Sequence, residues 1–204
     1  NVRLPLIFPF KEENKSGSFS IREISYDHKI TAAVKGRITQ KELLEVDLGG
    51  QVTISELNGF NLGFNGRAGG ADPTARIDFG VDPFLLIPGH LKKILPKLTM
   101  GSDSTMRLSS KGRIDYTSHG LKTQASVTVT EGNIFFPDLN LSLKGIAGSL
   151  DFNDLMVPES LPGQVLTIDK IQTGRFELGN ATARFSIEDG RSVNIENLRF
   201  NWCN

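Results

Sequence analysis

Apolar and polar residues alternate at a period of two along most of this chain, and one motif, Gly-x-apolar-x-Ile-x-x-Ile/Leu, recurs within the alternation. It reads Gly17-Ser-Phe19-Ser-Ile21-Arg-Glu-Ile24, then Gly50-Gln-Val52-Thr-Ile54-Ser-Glu-Leu57, then Gly132-Asn-Ile134-Phe-Phe136-Pro-Asp-Leu139. Two copies carry an extra residue, Gly163-Gln-Val165-Leu-Thr-Ile168-Asp-Lys-Ile171 and Gly190-Arg-Ser-Val193-Asn-Ile195-Glu-Asn-Leu198. Each copy predicts a glycine turn, a strand with its apolar side chains on one face, and a bend where the spacing lengthens. A strand unit that cannot bury its own apolar face must stack on neighbours. The expected fold is therefore mainly β: an elongated, curved repeat sheet, groove-like or barrel-like.

The pattern divides the chain into an N-terminal extension, 1–16, and one continuous β-repeat domain, 17–204. Within the domain, 17–68 and 105–204 read as β-meanders, and 82–100 reads as a helical insertion. Asp82-Pro83 has the form of a helix start, Asp at the N-cap and Pro at the first turn. Phe84, Ile87, Leu91, Ile94 and Leu98 follow at helical spacing. Pro88 and Pro96 interrupt them, so a kinked helix or two short ones is expected, acting as a cap on the sheet, a plug, or a membrane-surface element. Asn153–Leu161 is expected to hold a helical turn, and Asn180 and Asp189-Gly190 to mark turns between strands.

Composition narrows the function classes. Lys+Arg and Asp+Glu are both 23, so the formal net charge is zero and nothing favours a nucleic-acid partner. No run approaches the length of a membrane-spanning helix. The start resembles neither a signal peptide nor an initiator, so the chain is expected to be a piece of a longer protein. The one cysteine, Cys203, leaves no internal disulfide. His28, His90 and His119 stand apart in unrelated contexts, and no catalytic or metal-binding motif is evident. The expectation is a non-enzymatic protein without cofactor or metal.

The final stretch carries a family likeness. Gly145-Ile-Ala-Gly-Ser-Leu-Asp-Phe-Asn-Asp-Leu155, Pro162-Gly-Gln-Val-Leu-Thr-Ile-Asp-Lys-Ile-Gln-Thr-Gly174, Ala183-Arg-Phe-Ser-Ile187 and Ile195-Glu-Asn-Leu-Arg-Phe-Asn-Trp202 occur in that order. Together they resemble the C-terminal domain of YdbH-like proteins, which belong with the AsmA and TamB group. The likeness covers the last part of the chain, from the 84–98 segment onward. It implies a periplasmic protein anchored in the inner membrane of a Gram-negative bacterium, with a β-groove that carries phospholipid toward the outer membrane. The implied partners are phospholipid or another acyl-chain ligand, further β-repeats of the same parent, and other envelope proteins. An association with dicarboxylate transport, also attached to that family domain, is the weaker implication.

Sheet physics supports a groove independently. Strands repeat about every 4.7 Å, so roughly five strands span an extended sixteen-carbon chain. Burying that chain is worth about 0.8 kcal/mol per methylene. The candidate groove residues are Phe19, Ile21, Val52, Ile54, Val127, Val129, Leu139, Leu141 and Leu143. The alternative is a structural or interaction domain in which the same side chains form a dry core.

Overall fold

The computed structural model describes residues 16–26, 30–42, 45–70, 74–90, 100–157, 159–174, 176–189 and 192–202. They form twelve strands in one antiparallel order. These are β1 (Ser16–Tyr26), β2 (Ile30–Glu42), β3 (Glu45–Ile54), β4 (Asn61–Gly69), β5 (Thr74–Leu86) and β6 (Met106–Thr117). Then come β7 (Gly120–Phe136), β8 (Leu141–Asp154), β9 (Glu159–Ser160), β10 (Gln164–Thr173), β11 (Phe176–Glu188) and β12 (Ser192–Trp202). Each pairs with the next, except that β8 pairs with both β9 and β10. The order ends at β1 and β12 without closing into a barrel. The mainly-β expectation is met.

The chain divides into two compact units, residues 1–82 with 111–123, and residues 83–110 with 124–204. In the first unit, β3 shows how the sequence makes the sheet. Val46, Leu48, Val52 and Ile54 alternate with Glu45, Asp47, Gln51 and Thr53, which places the two sets on opposite faces. The register then lines up like with like: Ile21 opposes Val34, Val34 opposes Val52, Val52 opposes Leu62, and Leu62 opposes Val81. A one-residue slip would turn every apolar group of a strand to the wrong face.

The next row along the same face is Phe19, Gly36, Gly50, Phe64 and Phe79. Here Gly50 is no turn. It lies inside β3, where a Cβ would stand 2.7 Å from the Phe64 ring and overlap the Lys35 carbonyl. Gly36 is covered in the same way by the Phe19 ring. Aromatic rings from the flanking strands thus occupy the space that the two glycines leave. Gly132 likewise sits within β7, against Ile146. Only Gly163, with φ 73°, matches the expected turn, and Gly190 lies outside the described residues.

The opposite face of the first unit is a ladder of ion pairs. Arg67 Nε donates to Asp47 at 3.0 Å, Arg76 Nε to Asp115 at 2.7 Å, and Arg113 Nε to Asp78 at 2.7 Å. The Arg67 hydrogen bond holds the Asp47 carboxyl below its ordinary value against the opposing effect of desolvation, with the Arg67 and Lys41 charges adding to it. Asp115 likewise holds Arg76 more firmly protonated. Exposed and screened by water, such pairs mark the wet face more than they stabilise it.

In the second unit, β7 and β8 each contain one extra residue. Val129 pairs with Gly148, but Gly132 pairs with Ile146, so β7 has gained a residue near Glu131, whose φ is 68°. Asn133 then pairs with Lys144, so β8 has gained one at Gly145, whose φ is 66°. The two bulges cancel, and Ile134 meets Leu143 in the original register. Asn180 (φ 49°) sits at a further register shift between β11 and β12, and Glu196 is the extra residue of another. Bulges bend a strand and increase its twist. In β1 the Ile-x-x-Ile spacing is itself a bulge, between Ile21 and Ile24. The same spacing from Ile195 to Leu198 spans the Glu196 bulge.

Two polar knots fasten the second unit. Ser104 is 1% exposed, and its hydroxyl accepts the Phe135 N–H at 2.9 Å. Gln164 accepts the Asp151 N–H and donates to the Leu161 carbonyl, both at 2.8 Å. Each satisfies backbone groups where the ladder is interrupted.

Several local expectations are corrected. Asp82-Pro83 starts no helix: β5 runs on to Leu86, with Phe84 and Leu86 buried and Leu85 exposed. Two consecutive exposed residues, Asp82 and Pro83, shift the alternation by one there, and this step imitates helical spacing in the sequence. Ile87 follows the strand and, among the described residues of this segment, Pro88–His90 is helical; Leu91, Ile94 and Leu98 lie outside the described residues. Leu139 belongs to a 3-10 turn, Pro137–Leu139, not a strand; Pro137 cannot donate to a ladder and ends β7. The segment expected to hold a helical turn instead makes a turn and the short strand β9. Asn180 lies inside β11, its left-handed backbone absorbed by the bulge.

Candidate functional site

The candidate groove residues fall into two sets, one in each unit. Phe19 and Ile21 on β1, with Val52 and Ile54 on β3, share the apolar face of the first unit, and all four are half-buried. In the second unit Val127 pairs with Leu150 and Val129 with Gly148. Leu143 stands between Ile134 and Ile171, and Leu141 between Phe136 and Thr173. Leu139 stands apart at 66% exposure on its turn.

The degree of burial distinguishes this face from an ordinary core. Among the described residues, the buried apolar side chains are only Leu57, Val81, Phe84, Leu86, Ala125, Val129, Ile146 and Ala181. Two-sided sandwiches bury the inner face of both sheets. Here the described residues contain no second sheet, and apolar side chains of β2 to β4 remain half-exposed. On β12 the exposure is larger still: Val193, Ile195, Leu198, Phe200 and Trp202 are each about half exposed or more. Phe176 meets Trp202 edge-on, ring centres 5.8 Å apart, so this apolar end is ordered by its own side chains. A contiguous apolar surface of this kind marks a place for an apolar ligand or partner.

The second unit also contains a cleft of about 590 Å3 between the Pro137–Leu139 turn and the β10–β11 turn. Ile134, Phe135 and Leu143 line it alongside Asp103, Asn133, Ser142, Lys144 and Gln172. Sequence reasoning missed these polar residues. Lys144 enters the cleft through its register opposite Asn133, and Asp103 through the backbone bonds that tie residues 101–105 to Phe135 and Asn133. Neither relation leaves a local mark in the sequence.

Among the described residues, no group of three His, Cys, Asp or Glu side chains is placed to hold a metal ion. None of the helical residues described forms a segment long and apolar enough to cross a membrane. No family model matches the chain, and neither a curated protein nor a solved structure does.

Proposed function

We propose that this chain is a lipid-binding β-sheet segment of a Gram-negative envelope protein that passes phospholipid between the inner and outer membranes. The observation that carries the reading is the half-exposed apolar face on a sheet with few fully buried apolar side chains among the described residues. Acyl chains laid on that face remove apolar surface from water, at about 25 cal/mol per Å2. The charged ladder on the opposite face of the first unit stays wet. The mechanism is passive: tails move along the apolar rows while headgroups remain hydrated. The likeness of the last part of the chain to YdbH-like proteins supports the periplasmic setting and the membrane-anchored parent.

Purification from a bacterial host without detergent, followed by native mass spectrometry and solvent extraction, tests the reading. Near-stoichiometric phospholipid, lost in the Val127→Asp variant, is the expected result. An apo mass, under conditions that preserve lipid on a known carrier, would replace it with the scaffold reading.

A further inference from the structure

The cleft of the second unit has a charge arrangement that the fold itself does not resolve. Lys144 on β8 stands directly opposite Lys170 on β10. Like charges in that position repel. Lys170 is answered by Glu177, Nζ to Oε2 2.6 Å. Lys144 has no carboxylate partner among the described residues, and it lines the cleft as an exposed residue. Asp103 lines the same cleft; among the described residues its carboxylate accepts only a hydrogen bond from the neighbouring Ser102 hydroxyl, at 2.9 Å. Asn133 Oδ1 is taken by the Gly145 N–H, which leaves its amide hydrogens to donate. Phe135, on the same face of β7 as Asn133, supplies apolar wall beside these groups.

An unpaired cation, an unpaired anion, an amide donor and an apolar wall match one ligand chemistry. We propose that this cleft holds the headgroup of a zwitterionic phospholipid, its phosphate on Lys144 and Asn133 and its ammonium on Asp103, with the first methylenes of the chains against Phe135. The assignment rests on the lipid-binding reading and specifies its headgroup. Both charged residues are exposed at the surface, so replacing either leaves the packing of the sheet intact.

The test is calorimetric titration of the whole chain with three amphiphiles of one acyl length, lysophosphatidylethanolamine, lysophosphatidylglycerol and a maltoside, and with free phosphoethanolamine. The ethanolamine lipid should bind about tenfold or more tightly than the maltoside, the gain expected of a charge-assisted hydrogen bond. Lys144→Glu should abolish that advantage while maltoside binding persists. Asp103→Asn should erase the preference for the ethanolamine over the glycerol headgroup. Equal affinity for all three amphiphiles overturns the headgroup site and leaves the acyl-chain reading standing. Binding of free phosphoethanolamine as tight as that of the lipid assigns the cleft to a small soluble ligand instead. Failure of every amphiphile to bind removes both readings.

Discussion

Val127 and Val129 are consecutive apolar positions on one strand, and they separate an open face from a dry core. Val129 is 7% exposed, whereas Val127 is half-buried. Full burial of a valine side chain is worth roughly 1.5–3 kcal/mol, so Val129 supplies about 2 kcal/mol and Val127 about half of that. An aspartate at Val129 loses that contribution and also places a carboxyl where water does not reach, adding about 1–3 kcal/mol. The expected cost of Val129→Asp is therefore about 3–5 kcal/mol. For Val127→Asp it is about 1 kcal/mol, because the carboxylate reaches solvent. Urea unfolding followed by far-ultraviolet circular dichroism measures both, with the midpoint shift converted through a shared slope. A lipid-extraction assay on the same preparations should show Val127→Asp folded but depleted of lipid. Equal costs of several kcal/mol for the two variants would refute the reasoning, since Val127 would then sit in a packed core.

Three other outcomes are expected. Ser104→Ala removes the acceptor for the Phe135 N–H and should cost about 1–3 kcal/mol, read from thermal melts. Gly50→Ala forces a methyl group against the Phe64 ring and the Lys35 carbonyl, and should cost about 1–3 kcal/mol by overpacking. The depressed pKa of Asp47 adds stability above the ordinary aspartate value, about pH 4, and that contribution disappears as pH falls through the lower folded value. Arg67→Gln should return the Asp47 carboxyl toward its ordinary value, checked by NMR titration of the carboxyl carbon.

What was legible in the sequence was the alternation. Val46 to Ile54 and Ala125 to Val129 identify their own faces, because a strand writes its burial into every second residue. The bend predicted from Ile21-Arg-Glu-Ile24 corresponds to a bulge for the same reason, since a step of three breaks the period. Glycine was ambiguous. Gly50 reads as a turn in isolation, and only its cross-strand neighbours Gly36 and Phe64 reveal a site of close approach. The step at Asp82-Pro83 imitates the start of a helix, because a slipped strand and a helical turn both separate apolar residues by three. The cleft was not legible at all: Lys144 and Asp103 are far apart in sequence and are brought together by register.

The paired bulges of β7 and β8 govern how this protein can change length. Glu131 and Gly145 are the unpaired residues of the β7–β8 ladder, so losing either leaves the remaining pairings of that ladder, residue for residue, as they are. Gly145, however, counts in the register that β8 keeps with β10, unbroken from Thr167–Ala147 to Lys170–Lys144. Its loss would displace the β8–β10 pairings on one side by a residue and exchange their apolar and polar faces, so the deletion should be harmful where a substitution would be tolerated. A deletion scan scored by protease resistance should find that removing Glu131 as well does not rescue it. A residue that is surplus toward one neighbouring strand is indispensable toward the other, and the second ladder fixes the strand's length.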